Sequence, residues 1–102
     1  MGAGYVGIIS AELHFPESRS LKTKRKDLQS VKSQLIQRFH VAVAEVDHHD
    51  TWQRAQVTAA CVGRDHLDAT SILDSVERFL CSRGFETVIV QREVTKPGDW
   101  ST

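Results

Sequence analysis

Between Glu17 and Arg38 the chain carries seven basic side chains, Arg19, Lys22, Lys24, Arg25, Lys26, Lys32 and Arg38, against two acidic ones, Glu17 and Asp27. Five of the seven crowd the start of a helix that Ser18 or Ser20 is placed to cap. At about 100° per residue, Lys22, Lys24, Arg25 and Lys26 point in different directions around the axis and form a collar. A helix N-terminus is already positive, because its first N–H groups lack partners and the peptide dipoles align there. Each further cation at that end costs ~0.3–1 kcal/mol. The natural compensating partner is an anion, and a phosphate of RNA is the obvious one. The candidate anion site is therefore Arg19, Ser20, Lys22, Lys24, Arg25 and Lys26. The competing reading is a set of solvated charges offset by Glu17, Asp47 and Asp50, with little energetic consequence.

A second constellation, Asp47, His48, His49 and Asp50, has donor types suited to Zn²⁺. Adjacent residues in an extended chain face opposite ways, so an ion there needs a ligand from elsewhere, and His14 is the candidate. A turn rich in hydrogen-bonding side chains accounts for the same residues without a metal. No metal or cofactor is expected. Cys61 and Cys81 match no metal or redox spacing, fall in segments that read as buried, and lack basic neighbours to activate a thiolate. Gly2, Gly4 and Gly7 fit G-x-G-x-x-G but open a strand, where the phosphate-cradling geometry does not exist. The expectation is a protein without catalytic residues.

The elements that must position these residues follow from periodicity. Residues 4–15 alternate as a strand, with Ile9, Ala11 and Leu13 on one face and Ser10, Glu12 and His14 on the other; Pro16 ends it. A helix runs from about residue 21 to 39, with Leu21, Leu28, Val31, Leu35 and Phe39 on one side. Strands at 41–47 and 52–62 flank a four-residue turn, His48 to Thr51. That register opposes Asp47 to Trp52, Glu45 to Arg54 and Val43 to Gln56, with an ion pair between Glu45 and Arg54. It turns Ala42, Ala44, Val46, Ala55, Val57 and Ala59 toward the helices and leaves Val41 and Val43 outside, a hint of a homodimer contact. Asp65 caps a second helix with Ala69, Ile72, Leu73, Val76 and Leu80 in its stripe, and Gly84 is the expected left-handed stop. Residues 85–94 form the last strand.

The order βαββαβ points to an α+β, ferredoxin-like sandwich: an antiparallel sheet of order 4-1-3-2 with both helices on one face. One domain over residues 1–95 and a loose tail over 96–102 are expected. This topology brings residues 14–26 and 47–52 to one rim. The outer sheet face lacks aromatic side chains on its central strands, which disfavours base stacking there. Trp52, near the rim, either anchors a partner or closes the hairpin.

Composition bounds the rest. The 102 residues are 40% apolar, with 13 basic and 13 acidic side chains, which suits one globular domain and excludes a uniformly basic coat. No stretch is apolar for long enough to span a membrane, and the N-terminal residues do not read as a signal peptide. A cytoplasmic protein with reduced cysteines is expected.

Residues 12–25, Glu-Leu-His-Phe-Pro-Glu-Ser-Arg-Ser-Leu-Lys-Thr-Lys-Arg, and residues 39–55, from Phe39 through Glu45-Val-Asp-His-His-Asp-Thr-Trp-Gln-Arg to Ala55, resemble the two signature stretches of the YlxP-like family of small bacterial proteins. The likeness covers residues 4–94. It implies a ferredoxin-like fold and, through genes that lie near translation-initiation and ribosome-maturation factors, a role around the small ribosomal subunit or its RNA. It carries no catalytic residues. The signature positions are Ser18, Arg19, Ser20, Leu21, Lys22, Lys24 and Arg25, then Glu45, Val46, Asp47, Asp50, Trp52, Gln53, Arg54 and Ala55. The expected function is a non-enzymatic RNA- or ribosome-associated accessory protein, with a homodimeric interaction module as the alternative.

Overall fold

The structure, a computed structural model, describes residues 3–98. Gly2 of the glycine pattern and residues 99–102 of the expected tail lie outside the described residues. The elements are β1 (Tyr5–His14), α1 (Leu21–Phe39), β2 (Ala42–Asp47), β3 (Arg54–Gly63), α2 (His66–Cys81) and β4 (Glu86–Thr95). All pairings are antiparallel and the strands lie in the order β4–β1–β3–β2. The fold is the ferredoxin-like βαββαβ sandwich. No helix among the described residues is long and apolar enough to cross a membrane.

The alternation of β1 and β3 makes the core. Ile9, Ala11 and Leu13 stand opposite Ala59, Val57 and Ala55, and all six are buried against Leu28, Val31 and Leu35 of α1 and Leu73, Val76 and Leu80 of α2. Full burial of each larger side chain contributes about 1.5–3 kcal/mol. Small residues on β3 let the helices approach closely. At Gly63 a Cβ would stand 2.5 Å from the backbone nitrogen of Ala69, so only glycine lets β3 pass beneath the first turn of α2. Ser20 caps α1, its hydroxyl accepting from the Thr23 N–H at 3.1 Å, and Asp65 caps α2 by accepting from the Asp68 N–H at 2.8 Å.

The hairpin departs from its spacing. β2 and β3 pair with Val43 opposite Ala59 and Glu45 opposite Val57, and a bulge at Val46 brings Asp47 opposite Gln56. The turn at His48 to Thr51 forms, closed by the Thr51 N–H on the His48 carbonyl at 3.1 Å. The β2–β3 ladder nevertheless opens only at Asp47 and Gln56, while Gln53 extends the pairing with β1, its carbonyl accepting from the Phe15 N–H at 2.8 Å. Glu45 therefore slips three residues from Arg54, and an odd slip inverts the faces of β2. Val41 is buried and Val43 packs on the core, while Ala42, Ala44 and Val46 are exposed. The homodimer hint from Val41 and Val43, and the Glu45–Arg54 ion pair, are corrected accordingly.

Two smaller expectations change for local reasons. α2 ends at Ser82, whose hydroxyl donates to the Phe79 carbonyl at 2.8 Å, so no left-handed residue is needed and Gly84 is not the stop. Cys81 lies in the last turn of α2 on its outer side and is exposed; only Cys61 is buried.

Candidate functional site: the tip of the first helix and the hairpin turn

The tip of α1 is tied to the hairpin by side chains reaching from both. The Gln53 amide donates to the Pro16 carbonyl at 3.2 Å and the Ser18 carbonyl at 3.3 Å. Ser18, itself buried, donates to the Ser20 carbonyl at 3.2 Å. These bonds satisfy the loop between β1 and α1, whose carbonyls would otherwise be left without partners near the core. Residues 14–26 and the hairpin turn are thereby neighbours.

Lys24 makes the deepest link. Its side chain is fully buried, and its ammonium donates to the His48 carbonyl at 2.6 Å and the Arg54 carbonyl at 3.0 Å. The Glu45 carboxylate lies 3.0 Å away, with 15% of its side chain exposed. The carboxylate oxygen is close enough for an ion pair, though not aligned for a good hydrogen bond, so the two carbonyls carry the directional part. An ammonium with three acceptors around it has its donors spoken for. Lys24 is therefore an internal strut and not part of the exposed collar. Leu21, the expected apolar contact one turn earlier, is only partly buried.

On the open face of the sheet, Arg54 donates to Glu12 through Nε at 2.7 Å. His14 lies 3.2 Å from the same carboxylate and His48 lies 4.0 Å from it. The Arg54 hydrogen bond is the largest influence holding the Glu12 carboxyl below the usual carboxylate range, partly opposed by desolvation. Asp47 accepts from the His48 N–H at 2.7 Å and so steadies His48 in the left-handed region, at φ 65°. His49 Nε2 lies 3.2 Å from the Glu45 carbonyl. Among the described residues, no three His, Cys, Asp or Glu side chains gather as metal ligands.

The outer collar is different. Arg19, Lys22, Arg25 and Lys26 are exposed, and among the described residues none forms an ion pair. The first turn of α1 contains no acidic residue. Asp50 and Trp52 project from the turn, Trp52 with 53% of its surface exposed. A cleft of about 230 Å³ beside the tip has Phe15 and Phe85 among its walls. Glu17 and Asp27 also line it, so the cleft is unfavourable to an anion.

Glu12 is the partner that spacing alone misses. Its signal was its place on the outer face of β1, within reach of any cation on the neighbouring strand. The geometry defines a small ferredoxin-like protein whose first helix is pinned to the central hairpin by a buried ion pair and presents exposed cations beyond it. By sequence, the chain belongs to the family described as "Protein of unknown function (DUF503)", whose model matches residues 6–94. It is similar to "Uncharacterized protein YlxP" of Bacillus subtilis (strain 168), with 29% identity over 77 residues, 76% of this chain and 84% of that protein.

Proposed function

We propose that the protein is a non-enzymatic, cytoplasmic RNA-associated accessory protein that holds the phosphate backbone with the tip of α1, acting on the small ribosomal subunit in its maturation or in translation. The observation that carries this reading is the set of four exposed cations, Arg19, Lys22, Arg25 and Lys26, without ion-pair partners among the described residues at a helix end that is itself positive. Ser20 has a structural part as the cap. Asp47 and Arg54 fix the rim, through His48 and Glu12, on which the collar stands. Lys24 and Glu45 hold the helix at the angle that exposes it. Binding of this kind releases counterions and weakens steeply with salt.

The test is co-sedimentation with purified small ribosomal subunits at rising salt. The Lys22→Glu/Arg25→Glu variant is expected to lose co-sedimentation while melting no lower than the wild-type protein. Undiminished co-sedimentation of that variant would remove the reading.

The second reading, a homodimer through the open face of the sheet, is favoured by the exposure of Val62 (73%) and Val88 (57%) there. It predicts self-association that salt does not disturb and that Val62→Lys abolishes, measured by sedimentation velocity over a range of protein concentrations.

A further inference from the structure

On the helical side of the molecule, α1 and α2 flank a groove built around the Phe79 ring. The guanidinium carbons of Arg38 and Arg83 each lie 5.3 Å from the centre of that ring. Phe39 meets it edge-on at 5.8 Å. Arg78 lines the same groove together with Ser75 and Ser82. All three arginines are exposed, and among the described residues none of them forms an ion pair.

The acids of α2 do not compensate them. Asp74 and Glu77 are held by Arg92 of β4, and Asp68 lies against Arg64. Arg38 and Arg78 stand in the last turns of their helices, where the dipole favours a cation. That accounts for each of the two separately. It does not account for Arg83, which follows the helix, or for the convergence of guanidinium groups on one ring. A guanidinium lying over a ring keeps its N–H edge free, and that edge matches a phosphate two bonds at a time. Its planar face also offers a stacking surface, which a nucleobase uses and an acidic peptide does not.

We propose that this groove is a second RNA contact, in which Arg38, Arg78 and Arg83, gathered about Phe79, take the phosphates of a single-stranded segment whose other part is held at the tip of α1. The inference rests on the RNA reading of that tip. Lys22 and Arg38 lie on one helix, about 24 Å apart along its axis at 1.5 Å per residue, so one strand of modest length reaches both. Glu17 and Asp27 line the cleft beside Arg83, which makes the two basic patches distinct contacts and not one continuous band.

The test is fluorescence anisotropy of the full chain with labelled oligoadenylates, one too short to bridge the two patches and one long enough to do so. Two linked contacts raise the affinity for the longer oligomer by about tenfold or more. Arg38→Gln/Arg83→Gln is expected to lose that gain while keeping wild-type affinity for the short oligomer. Arg38→Lys/Arg83→Lys, which keeps the charges, stays nearer wild type and separates loss of charge from damage to the groove. If both groove variants bind both lengths as wild type does, the groove is overturned and the tip reading stands. If the wild-type protein binds neither length, both fall. Tighter binding of polyglutamate than of the long oligomer, lost in the Gln variant, overturns the inference in favour of an acidic protein.

Discussion

Within two turns of one helix, the protein puts basic side chains to opposite uses. Lys24 is sealed between α1 and the hairpin, its ammonium donating to two backbone carbonyls with the Glu45 carboxylate beside it. Lys22, Arg25 and Lys26 stand outside with no ion pair among the described residues. The difference lies in the supply of acceptors. The turn at His48 and the start of β3 present carbonyls inward, because the ladder opens there and leaves them without strand partners. Among the described residues, nothing equivalent covers the outer side. Positive charge at this tip therefore divides into a share the fold consumes and a share it leaves exposed.

The largest expected effect breaks the inner half of that comparison. Lys24→Met leaves the Glu45 carboxylate without its counter-charge in a nearly closed site and should cost about 3–5 kcal/mol, read from urea denaturation. Lys24→Met combined with Glu45→Leu should recover most of it, since an apolar pair of similar volume often matches a buried ion pair. A single variant as stable as wild type would mean that Lys24 is not a strut. Next in size, Ser20→Ala removes the cap hydroxyl that satisfies the Thr23 N–H and should cost ~1 kcal/mol, seen as a lower thermal midpoint.

The outer half carries the opposite sign. Lys22→Glu replaces a cation with an anion at the positive end of α1 and should stabilise the fold by ~0.3–1 kcal/mol at low salt, while on the proposed reading it should weaken RNA association. A helix tip that gains stability when it loses its charge is one whose charges serve something other than folding. A fall in stability would place Lys22 with Lys24.

The smallest effect concerns acid. The Glu12 carboxyl is held below its ordinary value by Arg54, with His14 and His48 adding to it. Its contribution to stability is complete above the ordinary glutamate range and fades as pH falls through the lowered folded value. Glu12→Gln should therefore lower the neutral plateau of a melting-temperature profile slightly and leave the acid end little changed, so that the acid limb flattens. A variant that keeps the wild-type plateau and the wild-type acid limb would show that Glu12 keeps its pairing without consequence.

Much of this arrangement was legible in the residues. The stripes Leu28, Val31, Leu35 and Leu73, Val76, Leu80, the alternation of β1, and the caps Ser20 and Asp65 lead to the observed elements and to the shared rim. The faces of β2 were not legible, because Val41 and Val43 on one side and Ala42, Ala44 and Val46 on the other are both apolar. The choice between them is made by contacts distant in sequence: Gln53 ties the hairpin to the loop before α1, and Lys24 draws Glu45 inward. The burial of Lys24 did leave a trace. At about 100° per residue it falls among Leu28, Val31 and Leu35, inside the apolar arc and not on the solvent side with Lys22 and Lys26. A lysine within an apolar stripe asks for an internal carboxylate, and Glu45 was the one to find.

Reservation of the outer cations for RNA phosphates is tested most directly by the salt dependence of RNA binding. For the wild-type protein, log affinity is expected to fall linearly and steeply with log salt. In Lys22→Glu/Arg25→Glu the slope should be shallower by about two, near one unit for each phosphate no longer neutralised. Equal slopes for the two proteins, or binding indifferent to salt, would contradict it.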